Sequence, residues 1–241
     1  MFTKTMNGTY ENIDCMELMA NLKDKSVDLA IVDPPYGIGE SSNSRQGKKG
    51  KNAKCRSKSY GKKEWDESPC DNIYFSELFR VSKNQIIFGA NHYISKFSLD
   101  SACWIVWDKD NSENNFADCE LAWTSFNSAV RKFKFKWQGM LQENMKQKEI
   151  RIHLNQKPVK LYEWLLTNYA KPNDLILDTH CGSASSLIAC ENLGFKYIAS
   201  ELDKDYYSQS LQRLKAHLSQ GKLFQRLGRD EIKISQPSMF A

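Results

Sequence analysis

Apolar runs alternate with amphipathic stretches along this chain. Residues 9–33 predict a short strand, a helix near 15–21, and a mostly apolar strand from Val27 that ends at Asp33. "NIYFSELFRVS" predicts a helix, and "NQIIFGANHY" a strand leading into a turn. "ACWIVWDKD" and "CELAWTSF" predict two more buried strands. "PVKLYEWLLTNYA" predicts a helix with proline in its first turn, a favoured place. "DLILDTHCGSASSLIACENLG" reads as strand, small-residue loop and helix, and "KYIASELD" as a strand ending in acids. "KDYYSQSLQRLKAHLSQ" predicts a last helix, and the final twenty residues a trailing segment. Strands that alternate with helices imply a mostly parallel sheet covered on both faces. Residues 127–152 are basic and aromatic and take no clear element.

Composition narrows the class. With 241 residues and 41% hydrophobic content, the chain suits a single domain, 1–241, with a real core. No apolar run reaches the length that a membrane-spanning helix needs, so no membrane span is expected. Met1 to Tyr10 is too polar for a secretory signal. The seven cysteines are scattered without a CxxC pair, which predicts reduced thiols in a cytoplasmic protein. Four dispersed histidines offer no metal cluster, so no metal is expected. The net charge of +5 is mild, but its distribution is not. Ser41 to Lys63 holds nine Lys or Arg and no acid, and residues 40–64 predict a mobile basic loop insertion.

Two strand ends carry candidate chemistry. In "AIVDPPYGIGE", Asp33 stands where its strand emerges. Pro34 favours extended geometry at residue 33, and Pro34 and Pro35 together stiffen the backbone and remove two N–H donors. The Asp33 carboxylate and the Pro34 carbonyl then form a rigid acceptor surface beside the aromatic ring of Tyr36. In "LILDTHCGSASSLIAC", Asp178 lies at the C-terminal end of a strand, where open α/β sheets bind ligands. Gly182 permits close backbone approach, and Ser183 or Ser185 is placed to cap the helix that follows. Glu201, which closes the next strand, is placed to accept from ribose hydroxyls. The turn has neither G-x-G-x-x-G nor a P-loop lysine, so a cationic adenosine-bearing ligand suits it better than a polyphosphate. The plainer reading is a strand-to-helix turn with a capping serine.

With these residues in view, the chain resembles the β-group of amino-methyltransferases that methylate DNA bases using S-adenosylmethionine. "DPPYGIG" at 33–39 resembles the catalytic motif of that group, "HLNQKPVKLYEWLL" at 153–166 its H-x-x-[QE]-K-P motif, and "DTHCGSA" at 178–184 its cofactor loop. The order, catalytic motif first and cofactor loop last, is the group's own, and the likeness covers roughly residues 10–215. Thr179, His180 and Ala184 depart from the usual Pro, Phe and Gly. The resemblance implies a Rossmann-like methyltransferase fold of permuted motif order. Its sheet would be mixed, mostly parallel and seven-stranded, with helices on both faces. It implies a flipped base whose exocyclic amine is held by Asp33 and Pro34 and stacked on Tyr36, with Pro35 holding the frame. It further implies cofactor contacts from Asp14, Asp33, Lys157, Asp178, His180, Gly182, Ser183 and Glu201. For Asp14 a helix N-cap is the alternative, and for Lys157 a solvated helix-end lysine. Phe88, Gly89 and Asn91 are candidates for the pocket wall, Phe88 more so for the core.

The expected partner is double-stranded DNA. Arg45, Lys48, Lys49, Lys51, Lys54 and Arg56 of the basic loop are candidate phosphate contacts. Arg131, Lys132, Lys134 and Lys136 alternate with Phe133, Phe135 and Trp137, which marks either an amphipathic strand or part of a recognition region. Residues 111–150 lie where the group keeps its target-recognition module. The resemblance implies adenine N6 ahead of cytosine N4 as the acceptor, because N4 enzymes of this kind more often carry Ser where Asp33 stands. N4-cytosine transfer and a catalytically silent nucleic-acid-binding protein are the rival readings. A restriction-modification role and a homodimer are both left open.

Overall fold

The computed structural model describes residues 2–5, 7–37, 70–97, 99–111, 117–138 and 141–234. Strands and helices alternate through them in chain order. Strands β1 (Phe2–Lys4) and β2 (Gly8–Glu11), helix α1 (Cys15–Ala20) and β3 (Val27–Val32) open the chain. Helix α2 (Asn72–Val81), β4 (Ser82–Phe88), a short 3-10 turn at Ala90–His92 and α3 (Ile94–Phe97) come next. Then come β5 (Trp104–Asp108), β6 (Cys119–Thr124), β7 (Arg131–Lys134), β8 (Trp137–Gln138) and β9 (Leu141–Gln142). The described chain closes with α4 (Val159–Tyr169), β10 (Leu175–Asp178), α5 (Ser185–Leu193), β11 (Lys196–Ser200) and α6 (Lys204–Ile234).

Among the described residues, nine strands form one sheet in the order β1-β2-β11-β10-β3-β4-β6-β5-β7, and β8 pairs with β9 apart from it. From β2 to β4 every pairing is parallel. β6 runs antiparallel to both its neighbours, and β1 antiparallel to β2. The sheet is therefore mixed and mostly parallel, as expected, but wider than the seven strands of that expectation. The extra strands, β1 and β7, are short additions at the two edges, where weakly apolar segments pair on one side only.

Period-two alternation divides the core. Leu29, Ile31, Ile86, Phe88 and Ile176 face the cluster that α4, α5 and α6 cover. Ala30, Val32, Ile87 and Leu177 face the cluster under α1 and α2. Because both faces of β3 are covered, its run from Leu29 to Val32 is continuously apolar rather than alternating. Helix α2 starts where the Asp71 carboxylate accepts from Tyr74 N at 2.9 Å, and it buries Tyr74, Phe75, Leu78 and Val81 as one stripe.

Several expectations are corrected here. Residues 127–152 hold β7, β8 and β9. The last helix does not end near residue 220 but continues to Ile234. Ser183 and Ser185 do not cap α5: its N-cap is Ala184, without a side-chain hydrogen bond, and the two serine hydroxyls bond each other at 3.0 Å. The basic segment 40–64, with Arg45, Lys48, Lys49, Lys51, Lys54 and Arg56, lies outside the described residues.

The β2–β11 pairing depends on one missing side chain. The Tyr197 ring lies across Gly8 and reaches Thr5 Oγ1 at 2.6 Å and Glu191 Oε1 at 2.9 Å. A Cβ at Gly8 would stand 2.3 Å from the Tyr197 carbonyl oxygen, which is backbone and cannot swing away. Gly8→Ala should therefore destabilise the protein by about 1–3 kcal/mol, the usual cost of overpacking. Chemical denaturation measures this, and an unchanged midpoint would mean the strand ends are free to separate.

Candidate active site

The site follows from one crossover. After β10 the chain turns through α5 to β11 on one side; after β3 it turns through α2 to β4 on the other. β10 and β3 are themselves paired, Ile176 opposite Leu29 and Leu177 opposite Ala30. The crevice beyond their C-terminal ends is thus a topological switch point, where ligands of such sheets bind. Asp178 closes β10 and Asp33 stands one residue past the end of β3, so neighbouring strands carry both to the same end of the sheet, although they are far apart in sequence.

The Asp33 carboxylate meets two donors. Tyr36 OH donates to Oδ1 at 2.6 Å, and Lys157 Nζ to Oδ2 at 2.5 Å. Pro34 is held as well, because buried Tyr93 donates to its carbonyl oxygen at 3.0 Å. A carboxylate has about four acceptor positions and a carbonyl two, so both groups keep lone pairs for a further ligand. Tyr36 stacks on exposed His92 with ring centroids 5.0 Å apart. Gly89, at φ +65, makes room for it, since a Cβ there would lie 2.2 Å from Tyr36 Cε1. Asn91 is exposed, and Phe88 is fully buried in the core.

Lys157 is not a solvated helix-end lysine: it is 3% exposed. Its ammonium is taken up by side chains of this chain. Besides Asp33 it lies 3.1 Å from Glu120 Oε2 and 4.7 Å from the centre of the Phe88 ring. Glu120 Oε1 in turn meets Lys109 Nζ at 2.5 Å. Burial pushes the Asp33 carboxyl up, by more than Lys157 draws it down. Burial also pushes Glu120 up, but Lys157 and Lys109 together outweigh it and hold that carboxyl down to about 2. For Lys157 burial favours the neutral amine, and the two carboxylates override it. An alternating row of charges, Asp33, Lys157, Glu120 and Lys109, therefore runs from the end of β3 to the end of β5.

The loop after β10 is tied down through its own acids. Asp178 Oδ1 accepts from His180 N at 3.1 Å and Oδ2 from the Ser186 hydroxyl at 2.5 Å. Gly182, at φ +53, donates its N–H to Glu201 Oε2 at 2.8 Å. Ala184 holds φ +60, a left-handed conformation that glycine adopts more readily. Arg213 of α6 donates to the Ser183 carbonyl at 2.6 Å and pairs with Glu149 at 2.6 Å. Glu149 Oε1 accepts from Val159 N at 3.0 Å, which caps α4 from outside because Pro158 has no side chain to do so. His180 sits edge-on to Tyr74, and its Nε2 lies 3.8 Å from Cys15 Sγ. Burial lowers it to about 4, so the ring is neutral at pH 7. Asp14 does cap α1, accepting from Met16 N at 2.8 Å. Next to it an open pocket of about 370 Å³ is lined by Cys15, Met16, Cys70, Asp71, Ile73 and Tyr74.

Burial raises Asp178 to about 6 and Glu201 to about 7. Neither has an ion-pair partner among the described residues. Buried acids without cations of their own suit a positively charged ligand.

The structure thus gathers Asp33, Pro34, Tyr36, Lys157, Asp178, His180, Gly182, Ser183 and Glu201 at one end of the sheet. Pro35 follows Pro34 in the same segment. The second basic stretch lies further along that end. Lys132 pairs with Asp108, and Lys134 and Lys136 with Asp110, while Arg131 is exposed. Phe133 and Phe135 stack on each other, and Phe133 packs against Trp164, so this is an amphipathic edge strand. Sequence reading missed Glu120, Lys109, Tyr93, Arg213 and Glu149. Each belongs to a different element from its partner, and no local spacing announces it. Among the described residues, no group of three His, Cys, Asp or Glu is arranged to hold a metal ion.

Solved structures of DNA methyltransferases share this fold. M1.HpyAVI in its SAM complex superposes with a TM-score of 0.56 at 20% identity, covering 86% of this chain and 98% of that one. The cytosine-N4-specific PvuII DNA methyltransferase also gives 0.56, at 14% identity over 89% and 92%. In sequence, the Type II methyltransferase M2.MboI of Moraxella bovis is 26% identical over 83% of this chain and 85% of its own length. M.HinfI of Haemophilus influenzae is 22% identical over 84% and 67%. A family model described as DNA methylase, of the N6/N4 type, matches residues 106–212. Over residues 106–212 the chain is therefore similar to the N6/N4 DNA methyltransferases, and along most of its length to the Type II enzymes named above.

The raised Glu201 carboxyl makes a pH prediction. The folded protein keeps this proton up to about pH 7, whereas an unfolded glutamate releases it near 4.5. Folded protein therefore binds more protons in that window, and stability falls as pH rises through it. The stability of wild type relative to Glu201→Gln should decline by about 1 kcal/mol or more between pH 4.5 and 7 and stay level above. Thermal melts across that range test it; parallel curves would place Glu201 in water.

Proposed function

We propose that the chain transfers a methyl group from S-adenosylmethionine to the exocyclic N6 of an adenine flipped out of double-stranded DNA. The observation that carries this is the placement of the Asp33 carboxylate and the Pro34 carbonyl beside the 178–184 loop, across the β3–β10 pair. Two acceptors fit the two hydrogens of an exocyclic amine. The buried acids Asp178 and Glu201 suit a cationic cofactor, and the pocket beside Asp14 is of a size to take a purine. The M1.HpyAVI structure is itself a complex with SAM, in keeping with this cofactor.

When bound, S-adenosylmethionine supplies an electrophilic methyl group on sulfur. Asp33 and Pro34 accept the amine hydrogens, draw the nitrogen out of conjugation with the ring, and aim its lone pair at that carbon. The new N–C bond takes the nitrogen pair, and the C–S pair returns to sulfur. The nitrogen becomes acidic as it gains the methyl group, and Asp33, its carboxyl pushed up by burial, is placed to receive the proton. A flipped base takes the Tyr36 face opposite His92, or displaces that exposed histidine.

Cytosine N4 is the second reading, because its amine lies beside a ring acceptor just as adenine's does, and a cytosine-N4-specific enzyme shares the fold. Nucleoside mass spectrometry decides. DNA from a host without its own base methylation is digested after expression of wild type or Asp33→Ala. N6-methyladenine from wild type alone is the expected result; N4-methylcytosine would reassign the base, and full activity in Asp33→Ala would end the mechanism.

For DNA contact, the basic loop remains our assignment, with Lys48, Lys49, Lys51 and Lys54 at its centre. Neutralising these four should reduce the slope of log K against log salt by up to about 3.6, at roughly 0.9 per phosphate contact. An unchanged slope would make the loop a bystander.

A further inference from the structure

We infer that Glu120 is a positioning residue for methyl transfer: it shares the Lys157 ammonium with Asp33 and offers it a second anion when a base amine engages the catalytic carboxylate. The inference rests on the methyl-transfer reading above.

Asp33 must accept a hydrogen from a neutral amine, and it must do so more strongly as that amine becomes cationic. An ammonium bound to the same carboxylate works against both requirements. It withdraws acceptor strength from the oxygens, and its charge repels the charge that develops on nitrogen. Yet Lys157 lies 2.5 Å from Asp33 Oδ2 at a site nearly closed to solvent, where such a contact is strong. A second carboxylate answers this. Glu120 Oε2 lies 3.1 Å from the same nitrogen, on β6, which β4 separates from β3. That approach is an ion pair without well-aligned hydrogen-bond geometry, so Oε2 retains acceptor capacity within reach of the ammonium. The other oxygen, Oε1, is held by Lys109 at 2.5 Å, which stops Glu120 from collapsing onto Lys157 altogether. Lys157 therefore contacts two anions, the nearer Asp33 and the further Glu120. The Phe88 ring face at 4.7 Å supports the ammonium from the side without adding a competing charge. As a base amine engages Asp33, Lys157 can shift its weight to Glu120 with no loss of pairing and no exposure to water.

Removing one partner of a buried ion network usually costs stability. The positioning role predicts more: the effect of Glu120 on turnover runs through Lys157. Turnover and cofactor affinity should be measured for wild type, Glu120→Gln, Lys157→Met and the double variant, with thermal melts on each. Glu120→Gln should lower kcat about tenfold or more while the dissociation constant for S-adenosylmethionine, from calorimetry, stays within about twofold. In the Lys157→Met background the same change should alter kcat by less than about twofold. Equal losses in both backgrounds, or a loss that appears only as weaker cofactor binding, would overturn the inference. Should Glu120→Gln not fold, Glu120→Asp carries the same cycle, since the shorter side chain withdraws from Lys157. A readout independent of activity separates this inference from the methyl-transfer reading. The Lys157 Nζ resonance should shift on Glu120→Gln; an unmoved resonance refutes the shared ammonium whatever the enzyme methylates. Wild type that methylates neither base refutes only the reading on which the inference rests.

Discussion

Everything in the site depends on the pairing of β10 with β3. These strands come from distant parts of the chain, and each carries an aspartate as it leaves the sheet. Parallel pairing brings both exits to the same end of the sheet, and the opposite turns of the following connections open a crevice between them. No loop has to reach far: Asp33 and Pro34 are set by a strand end and proline stiffness, and Gly182 by a backbone hydrogen bond to Glu201. The rest of the molecule serves to bury that pair of strands on both faces.

Buried charge is the second theme. Lys157 is buried, and Asp33, Glu120, Arg213 and Glu149 are half-buried. Such groups do not raise stability cheaply, since desolvation can exceed their mutual attraction. Their value is geometric. Arg213 and Glu149 join three elements: the cofactor loop through the Ser183 carbonyl, the start of α4 through Val159 N, and α6. The start of α4 closely follows Lys157, so the pair sets the loop and the Lys157 ammonium in one frame.

Much of this was legible in the sequence. The strand ends announced themselves because proline, glycine and acids punctuate apolar runs there. Asp33, Asp178, Gly182 and Glu201 stand where that punctuation placed them. What was not legible has physical causes. The burial of Lys157 leaves no local periodic mark, because its partners lie at positions 33 and 120 and a lysine reaches far. The serines near 183 have the propensity of caps, but cap propensity is local, whereas Arg213 and a left-handed Ala184 decide that turn. The edge strands β1 and β7 escape notice for a third reason. A strand paired on one side need not be apolar, and Lys132 and Lys134 find acids on β5 and the residues that follow it.

The strand order also governs how the molecule is made. β10 lies between β3, formed near the start of the chain, and β11, which follows it in sequence. As the chain emerges from the ribosome, β3 and β4 pair early, while the other edge of β3 stays open until β10 arrives. β2, whose partner on that side is β11, waits longer still. Growth at the ribosome therefore leaves an apolar strand edge unpaired through most of synthesis, a template for wrong pairing. It also means that the catalytic motif is translated long before the loop it must face, so no nascent fragment lacking β10 and β11 can assemble the crevice.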